Sequence, residues 1–160
     1  MKADESNWWI MAKSLKGSGK RKAWNMLSRY IRIRDCLATT NFPFAGLCKT
    51  CLKRFHIDFL DAGHLFAGGG NAKTFPKDDR QICAQCRICN QGRDGRHKKF
   101  RKIMEERYGK ELVAQWEIDG KKVIHDNEMD FGAIEKKYKE KYLKLLHDAG
   151  YRDYDDHRES

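Results

Sequence analysis

Apolar side chains recur at helical spacing in several stretches of the chain. Over residues 21 to 35, Trp24, Leu27 and Ile31 follow at i, i+3 and i+7, with Tyr30 on the same face. This pattern predicts an amphipathic helix packed on a core. The same period predicts further helices over 96–109, 110–118 and 126–150, of which the first ends at Gly109.

A second pattern, of period two, precedes these later helices. Phe55, Ile57 and Phe59 alternate with polar residues and predict a short strand, with its return strand over 60–66. Residues 36–47, which contain Pro43 and Gly46, and residues 67–80, which include the triple glycine 68–70, are predicted loops. Strands followed by helices indicate an α+β fold.

The composition limits the size of the core. Of 160 residues, 40% are hydrophobic and 35% are charged, so one modest core is expected, and such cores usually need a metal or disulfides. We predict a basic flexible tail (1–22), a zinc-binding core with an N-terminal helix (23–110), a helical extension (111–150) and a polar tail (151–160).

The charge balance predicts a polyanionic partner. Lys and Arg number 33 against 23 Asp and Glu, for a net charge of +10. An excess of this size favours nucleic acid, although a well-solvated basic surface would give the same count. We expect no membrane span and no signal peptide, because no long apolar run occurs, and therefore a cytoplasmic protein.

Two CxxC pairs carry the clearest chemistry in the sequence. Cys48 and Cys51 are separated by 34 residues from Cys86 and Cys89. Two such knuckles supply the four thiolates of a closed, structural zinc site. Two alternatives stay open: Cys83 overlaps the second pair as a further CxxC, and His56, five residues after Cys51, offers a substitute ligand.

The motifs around these pairs resemble a known nuclease pattern. "CKTC", "DAGH", "QICAQCRICN" and a basic helix carrying His97 are similar to the HNH, or ββα-metal, endonucleases. "YIRIRD", "LDAGH" and "QCxxCN", within roughly residues 24 to 110, resemble more narrowly the NinG/Rap family of phage recombination endonucleases. The resemblance implies a zinc-stapled, treble-clef-like ββα-metal core flanked by helices. It also implies cleavage of DNA, branched or containing single strands, in the host cytoplasm.

The same resemblance suggests catalytic roles. It makes His64 the base that deprotonates a water, and an imidazole suits this task at neutral pH. Gln81 stands where the pattern usually has an Asn that orients the histidine. His97 occupies the metal-ligand position on the following helix, near the expected register.

The second ligand of the catalytic cation is less clearly marked. Related sequences often use the residue before the histidine, which here is Gly63. We predict Asp61 in its place, with Asp58 and Asp78 as alternatives, and we expect Mg2+ or Mn2+. Each of these residues also has a purely structural interpretation. His64 would be a packed histidine, His97 an exposed basic residue and Asp61 a turn cap.

Basic residues near these positions are predicted to bind DNA. Lys73 follows the triple glycine and is the nearest cation to the site. A larger group lies around the start of the basic helix: Arg93, Arg96, Lys98, Lys99, Arg101 and Lys102. Phosphate contacts of this kind give affinity without reading sequence, which suits recognition of DNA shape.

Two other functions fit the same sequence. A zinc-ribbon protein that binds DNA without cutting it would share the thiols and the basic helix. A recombination mediator would act through the helical C-terminus. The Tyr and Leu stripe of the last helix is either core or the seam of a homodimer, which would give a junction-cutting enzyme two active sites.

Overall fold

The computed structural model describes residues 19–92 and 96–151. In these ranges the chain is mixed α+β, with two small antiparallel sheets and six α-helices. The strands are β1 (Ala45–Leu47), β2 (Arg54–His56), β3 (Leu60–His64) and β4 (Ile82–Cys86). The helices are α1 (Gly19–Thr40), α2 (Asn71–Thr74), α3 (Arg87–Asn90), α4 (Arg96–Tyr108), α5 (Lys110–Gly120) and α6 (Phe131–Asp148). Short 3-10 helices cover Ile57–Phe59, Asp79–Gln81 and Asp126–Glu128.

Helix α1 is confirmed, but it is longer than its apolar period indicated. Leu27, Tyr30 and Ile31 are buried as predicted. The helix continues to Thr40 through residues predicted as loop, and Asn41 ends it with a φ of 56°. The Thr40 hydroxyl lies 3.0 Å from the carbonyl oxygen of Cys36 and 2.6 Å from that of Ala45, so it ties the last turn to β1.

The predicted strand pairing is wrong. Strand β2 pairs with β1, which lies in the predicted loop 36–47, and β3 pairs with β4. The alternation across Phe55, Ile57 and Phe59 breaks after His56, because Ile57–Phe59 is a 3-10 helix. Strand β4 and helix α2 lie in segments whose local patterns did not predict them.

The β3–β4 hairpin lies between two apolar clusters. Side chains alternate between the faces of a strand. Leu60, Ala62, Ile82 and Ala84 belong to the larger cluster, which also contains the apolar faces of α1 and α6. On the other face, Cys83 packs in a smaller cluster with α4 and α5, through Phe100, Met104, Val113 and Trp116. We call these the α1 face and the α4 face of the hairpin.

The three C-terminal helices are confirmed, and Gly109 separates α4 from α5. The stripe of α6 lies in the core, since Tyr138 and Tyr142 are buried in the larger cluster. Tyr138 contacts Tyr30 of α1, with 5.4 Å between ring centroids. The segment predicted as an extension therefore shares its core with α1. Among the described residues, no helix is long and apolar enough to cross a membrane.

Candidate metal centre and active site

Four cysteine thiols converge at one end of the two sheets. The sulfur atoms of Cys48, Cys51, Cys86 and Cys89 all lie within 4.8 Å of one another, and those of Cys51 and Cys86 are 4.0 Å apart. In a tetrahedral zinc site with Zn–S bonds of about 2.3 Å, the sulfurs would be about 3.8 Å apart. The four cysteines could therefore hold a structural metal ion such as zinc.

Each CxxC pair has the backbone of a knuckle. The first is the turn between β1 and β2, where the N–H of Cys48 donates to the carbonyl of Lys53 and that of Leu52 to Cys48. Leu52 has a φ of 61°, an unusual conformation for a branched side chain, which closes this turn. The N–H of Lys49 donates to the carbonyl of Ala84, so the first knuckle is attached to β4.

The second knuckle joins the end of β4 to α3. The N–H of Gly92 donates to the carbonyl of Cys89, and its φ of 66° is a conformation that glycine adopts freely. Arg96, at the start of α4, places Nη1 3.4 Å from the Cys89 sulfur. Burial raises the pKa of the Cys86 thiol to about 12, and a metal ion would have to displace that proton.

The geometry decides between the alternative ligands. Cys83 packs in the cluster on the α4 face and is absent from the group of converging thiols. His56 is exposed on β2, where its Nδ1 accepts the N–H of Asp58 at 3.2 Å. Neither residue replaces a cysteine of the two pairs.

His64 is the last residue of β3 and is half-buried on the α1 face. Its ring stacks on Trp24 of α1, with centroids 4.9 Å apart and planes 21° apart. Its Nε2 lies 3.3 Å from the carbonyl oxygen of Thr74. A carbonyl only accepts, so this contact requires Nε2 to carry the hydrogen and leaves the lone pair on Nδ1. Burial lowers the pKa of His64, against a smaller opposing effect of the Thr74 contact.

Gln81 lies beside His64 in the hairpin. It is buried at the end of the Asp79–Gln81 turn, and its carbonyl accepts the N–H of Leu65 at 2.9 Å. This bond continues the ladder by one position beyond the His64–Ile82 pair. This contact is made by the main chain, so the orienting role of the Gln81 side chain stays a prediction.

Asp61 and His64 are not brought together. They are three residues apart in β3, so their side chains leave opposite faces of the strand. At about 3.3 Å per residue, their backbones are also about 10 Å apart. Asp61 contacts Asn90, whose Nδ2 lies 3.3 Å from Oδ2, and has Arg87 Nε at 4.0 Å. The expectation that both serve one cavity finds no support in this arrangement.

The other predicted cation ligands are also separate. His97 is exposed in the first turn of α4, close to Gly92 after the second knuckle. Asp58 contacts His56, and Asp78 is bound by Arg80 and by the Trp116 indole. Among the described residues, the cysteines form the only group of three or more potential metal ligands.

A family model for the bacteriophage lambda NinG protein matches residues 3–148 of the chain. The chain belongs to the NinG family. No curated protein matches it. No solved structure matches it either. The narrower of the two resemblances is thereby confirmed, and the broader HNH assignment stays a prediction.

The basic side chains predicted to bind DNA differ, in this NinG-family chain, in their exposure and in the contacts that they already make within the fold. Lys98, Lys99 and Lys102 are exposed on α4, and Lys102 Nζ lies 3.9 Å from Glu106 Oε1. Arg101 is held by Glu105 at 2.9 Å and Glu117 at 3.0 Å. Lys73 donates to the carbonyl of Ala67, next to the triple glycine. Arg93 lies outside the described residues.

Residues that the sequence reading missed lie on the α4 face. Gln85 is buried and donates from Nε2 to the hydroxyl of Thr50 at 2.6 Å, which joins β4 to the first knuckle. The space above Gly63 is taken by the amide of Gln85 and by Asn90 Oδ1. Gly63 is therefore a packing requirement. Nothing local in the sequence marks Gln85 and Thr50 as partners, because 35 residues separate them.

Proposed function

We propose that this NinG-family protein is a metal-dependent DNA endonuclease that hydrolyses phosphodiester bonds in branched or junction DNA during phage recombination. The observation that carries the proposal is the state of His64. It ends β3, four positions along the hairpin from the Leu60–Cys86 pair, its tautomer is set by the Thr74 carbonyl, and its pKa is lowered by burial.

These features suit a general base. A histidine whose pKa is below its ordinary value of about 6.5 is neutral at pH 7, so its free nitrogen is ready to accept a proton. With hydrogen on Nε2, that nitrogen is Nδ1. In the proposed reaction, Nδ1 takes a proton from water as the water attacks phosphorus, and the bond to the 3′-oxygen breaks.

The cysteine cluster has a supporting role in this proposal. Four thiolates leave zinc no open coordination position, so the ion would staple the knuckles and take no part in the reaction. The order β3, β4, α4 agrees with the strand–strand–helix order of the ββα-metal pattern. A zinc ion bound at the Cys86 end of the β3–β4 hairpin would hold in place the strands that carry His64.

The catalytic cation belongs to the proposal as Mg2+ or Mn2+. Such ions are often held by one or two protein groups, with phosphate oxygens and waters completing the shell. His97 is the proposed protein ligand, together with an acidic residue; helix α4, which carries His97, packs on the face of the hairpin opposite to His64. Asp61 is the weaker partner for His64, because the two leave opposite faces of β3. The cation would stabilise charge on the leaving oxygen.

The exposed cations of α4 support the choice of substrate class. Lys98 and Lys99 have a surface position suited to phosphate contacts, which recognise backbone arrangement and not base sequence. This is the expected behaviour of an enzyme selective for DNA shape. Its preference is measured by comparing linear, flapped and four-way substrates.

A plasmid assay tests the proposal. The zinc-loaded protein is freed of other divalent cations and mixed with supercoiled DNA, with and without Mg2+ or Mn2+. We expect nicking only with added cation, and its loss in His64→Ala. His56→Ala is the matched control, because His56 is an exposed histidine on β2 with no role in the proposed reaction. Nicking by His64→Ala at the wild-type rate would exclude His64 as the base.

The second candidate is a zinc-ribbon protein that binds DNA without cutting it. The observation in its favour is the separation of Asp61 from His64. DNA binding with no nicking under any cation, in wild type as in His64→Ala, would support this function and refute the enzyme. A mediator role for the C-terminal helix is tested on the full chain, because Tyr138 and Tyr142 of that helix are buried in the core. Nicking unchanged by K136Q/E140Q, which alters only exposed residues of the helix, would exclude this role as the main activity.

A further inference from the structure

A cavity of about 490 Å3 lies apart from His64, between α1, the first knuckle and the C-terminal end of α4. Its charged lining consists of Arg34, Asp35, Lys49, Asp79, Arg80 and Arg107. Arg34 is ten residues from Trp24 on α1, so the cavity is about 15 Å along the helix axis from the indole that covers His64. A volume of this size suits a small ligand.

The two carboxylates of the cavity are already engaged. Asp35 accepts from Arg34 Nε through Oδ1 and from the Ala84 N–H through Oδ2, each at 2.7 Å. Asp79 accepts from Arg34 through Oδ1 and, through Oδ2, from Tyr138 and Lys141. Because all four oxygens have partners, the carboxylates add little negative charge toward a ligand.

Two cations of the cavity have no such engagement. In the part of the chain that the structure describes, neither Lys49 nor Arg107 forms an ion pair with a carboxylate, whereas Arg80 is held by Asp78 at 2.7 Å. Lys49 lines the cavity from the first knuckle and Arg107 from the C-terminal end of α4. Lys49 and Arg107 therefore approach one region from different elements.

The rest of the lining is apolar or aromatic. Ala38 and Leu47 line it together with Leu52, whose side chain is 66% exposed. Tyr108 lies under the guanidinium groups of Arg80 and Arg107, at 5.1 and 5.4 Å from its ring centroid. Such planar guanidinium groups are surfaces on which nucleic-acid bases stack. The cavity combines free positive charge with flat and apolar walls.

We propose that this cavity binds a nucleoside phosphate, with its phosphate on Lys49 and Arg107 and its base against the guanidinium and apolar walls. The ligand chemistry is shared by a free mononucleotide and by a nucleotide of a single DNA strand. If the source is DNA, the cavity deepens the proposed function, since it would hold a single-stranded arm of a branched substrate. Nucleotide binding itself does not depend on cleavage.

Titration of the full-length zinc-loaded protein with dTMP, inorganic phosphate and a short dT oligomer tests the proposal. Amide NMR signals of Lys49, Leu52 and Arg107 are expected to shift on dTMP addition. The double variant K49Q/R107Q should weaken dTMP binding about tenfold or more, as expected for loss of two charge-assisted contacts. The control K121Q/K136Q removes two exposed cations remote from this lining and should bind as wild type.

The outcomes separate the possibilities. Tighter binding of the oligomer than of dTMP identifies a DNA strand, and equal binding identifies a mononucleotide; both support the proposal. Equal affinity for dTMP and inorganic phosphate, unchanged binding by K49Q/R107Q, or shifts confined to other regions would overturn it. His64→Ala should keep dTMP binding, so loss of nicking with retained binding distinguishes the cavity from the catalytic proposal.

Discussion

The indole of Trp24 covers one face of the His64 imidazole, with 4.9 Å between the ring centroids. Burial is the main cause of the lowered pKa of His64. Replacing Trp24 with Ala should let water reach the ring, so the pKa of His64 should rise toward its ordinary value of about 6.5. An NMR titration of the histidine ring signals measures this change. An unchanged titration of His64 in that variant would show that the indole does not control the pKa.

The lowered pKa also predicts how stability depends on pH. Between the ordinary pKa of histidine and the lower folded one, the unfolded chain binds more protons at this position than the folded chain does. The contribution of neutral His64 to the free energy of unfolding is therefore present above about pH 6.5 and is lost as the pH falls toward the folded pKa.

Urea unfolding at pH 7.5 and pH 5.5 checks this direction. The loss of stability between the two pH values should be smaller in His64→Gln than in wild type. An equal pH dependence in wild type and His64→Gln would contradict the prediction.

The space above Gly63 predicts a large effect from one added methyl group. A Cβ there would collide with the Gln85 amide and Asn90 Oδ1 in a buried region, so Gly63→Ala should destabilise the fold by about 1–3 kcal/mol. Gly69→Ala is a matched control, since a Cβ at that position meets nothing within 4 Å. Chemical denaturation compares the two. Similar stabilities would mean that Gln85 moves away at little cost.

The converging thiols predict which cysteines hold zinc. Cys51→Ser should lose bound zinc and much of the stability, because metal binding and folding are coupled in such sites. Cys83→Ser should keep one zinc per chain, since Cys83 packs apart from the group. Metal analysis after gel filtration measures the ratio. Full zinc occupancy in Cys51→Ser, or its loss in Cys83→Ser, would reassign the ligands.

The cations of α4 should not contribute equally to DNA binding. Lys98→Gln combined with Lys99→Gln removes two exposed charges and should weaken binding, most strongly at low salt. Arg101→Gln instead breaks contacts with Glu105 and Glu117, so it should affect DNA binding less. Fluorescence anisotropy at two salt concentrations compares the variants. A larger loss from Arg101→Gln would place that residue at the DNA.

Local sequence patterns predicted the positions of helices better than they predicted which strands pair with each other. The helical period of Trp24, Leu27 and Ile31 identified α1 because one face of it packs on the core. The alternation before β3 could not identify β4 as its partner, because strand pairing is set by contacts across the fold. Strand β4 itself is buried on both faces and carries Gln85, so it lacks the usual alternation.

The candidate site was predictable to the same extent. The spacing of the four cysteines predicted their convergence, because two CxxC pairs in a small core typically supply the four ligands of one metal ion. The choice of Asp61 relied on its nearness to His64 in the sequence. Three positions along a strand reverse the face, which a strand assignment for residues 60–66 already implied. The contacts of His64 with Trp24 and Thr74 depend on packing and were not visible in the sequence.

The central claim is that His64 acts as the base for DNA cleavage. Its most direct test is the single-turnover rate of nicking with Mg2+ as a function of pH, in wild type and His64→Ala, alongside the NMR titration of His64. If His64 is the base, the wild-type rate should fall with decreasing pH at the measured pKa of His64, and His64→Ala should not cleave. A rate that titrates at a different pKa and persists in His64→Ala would contradict it.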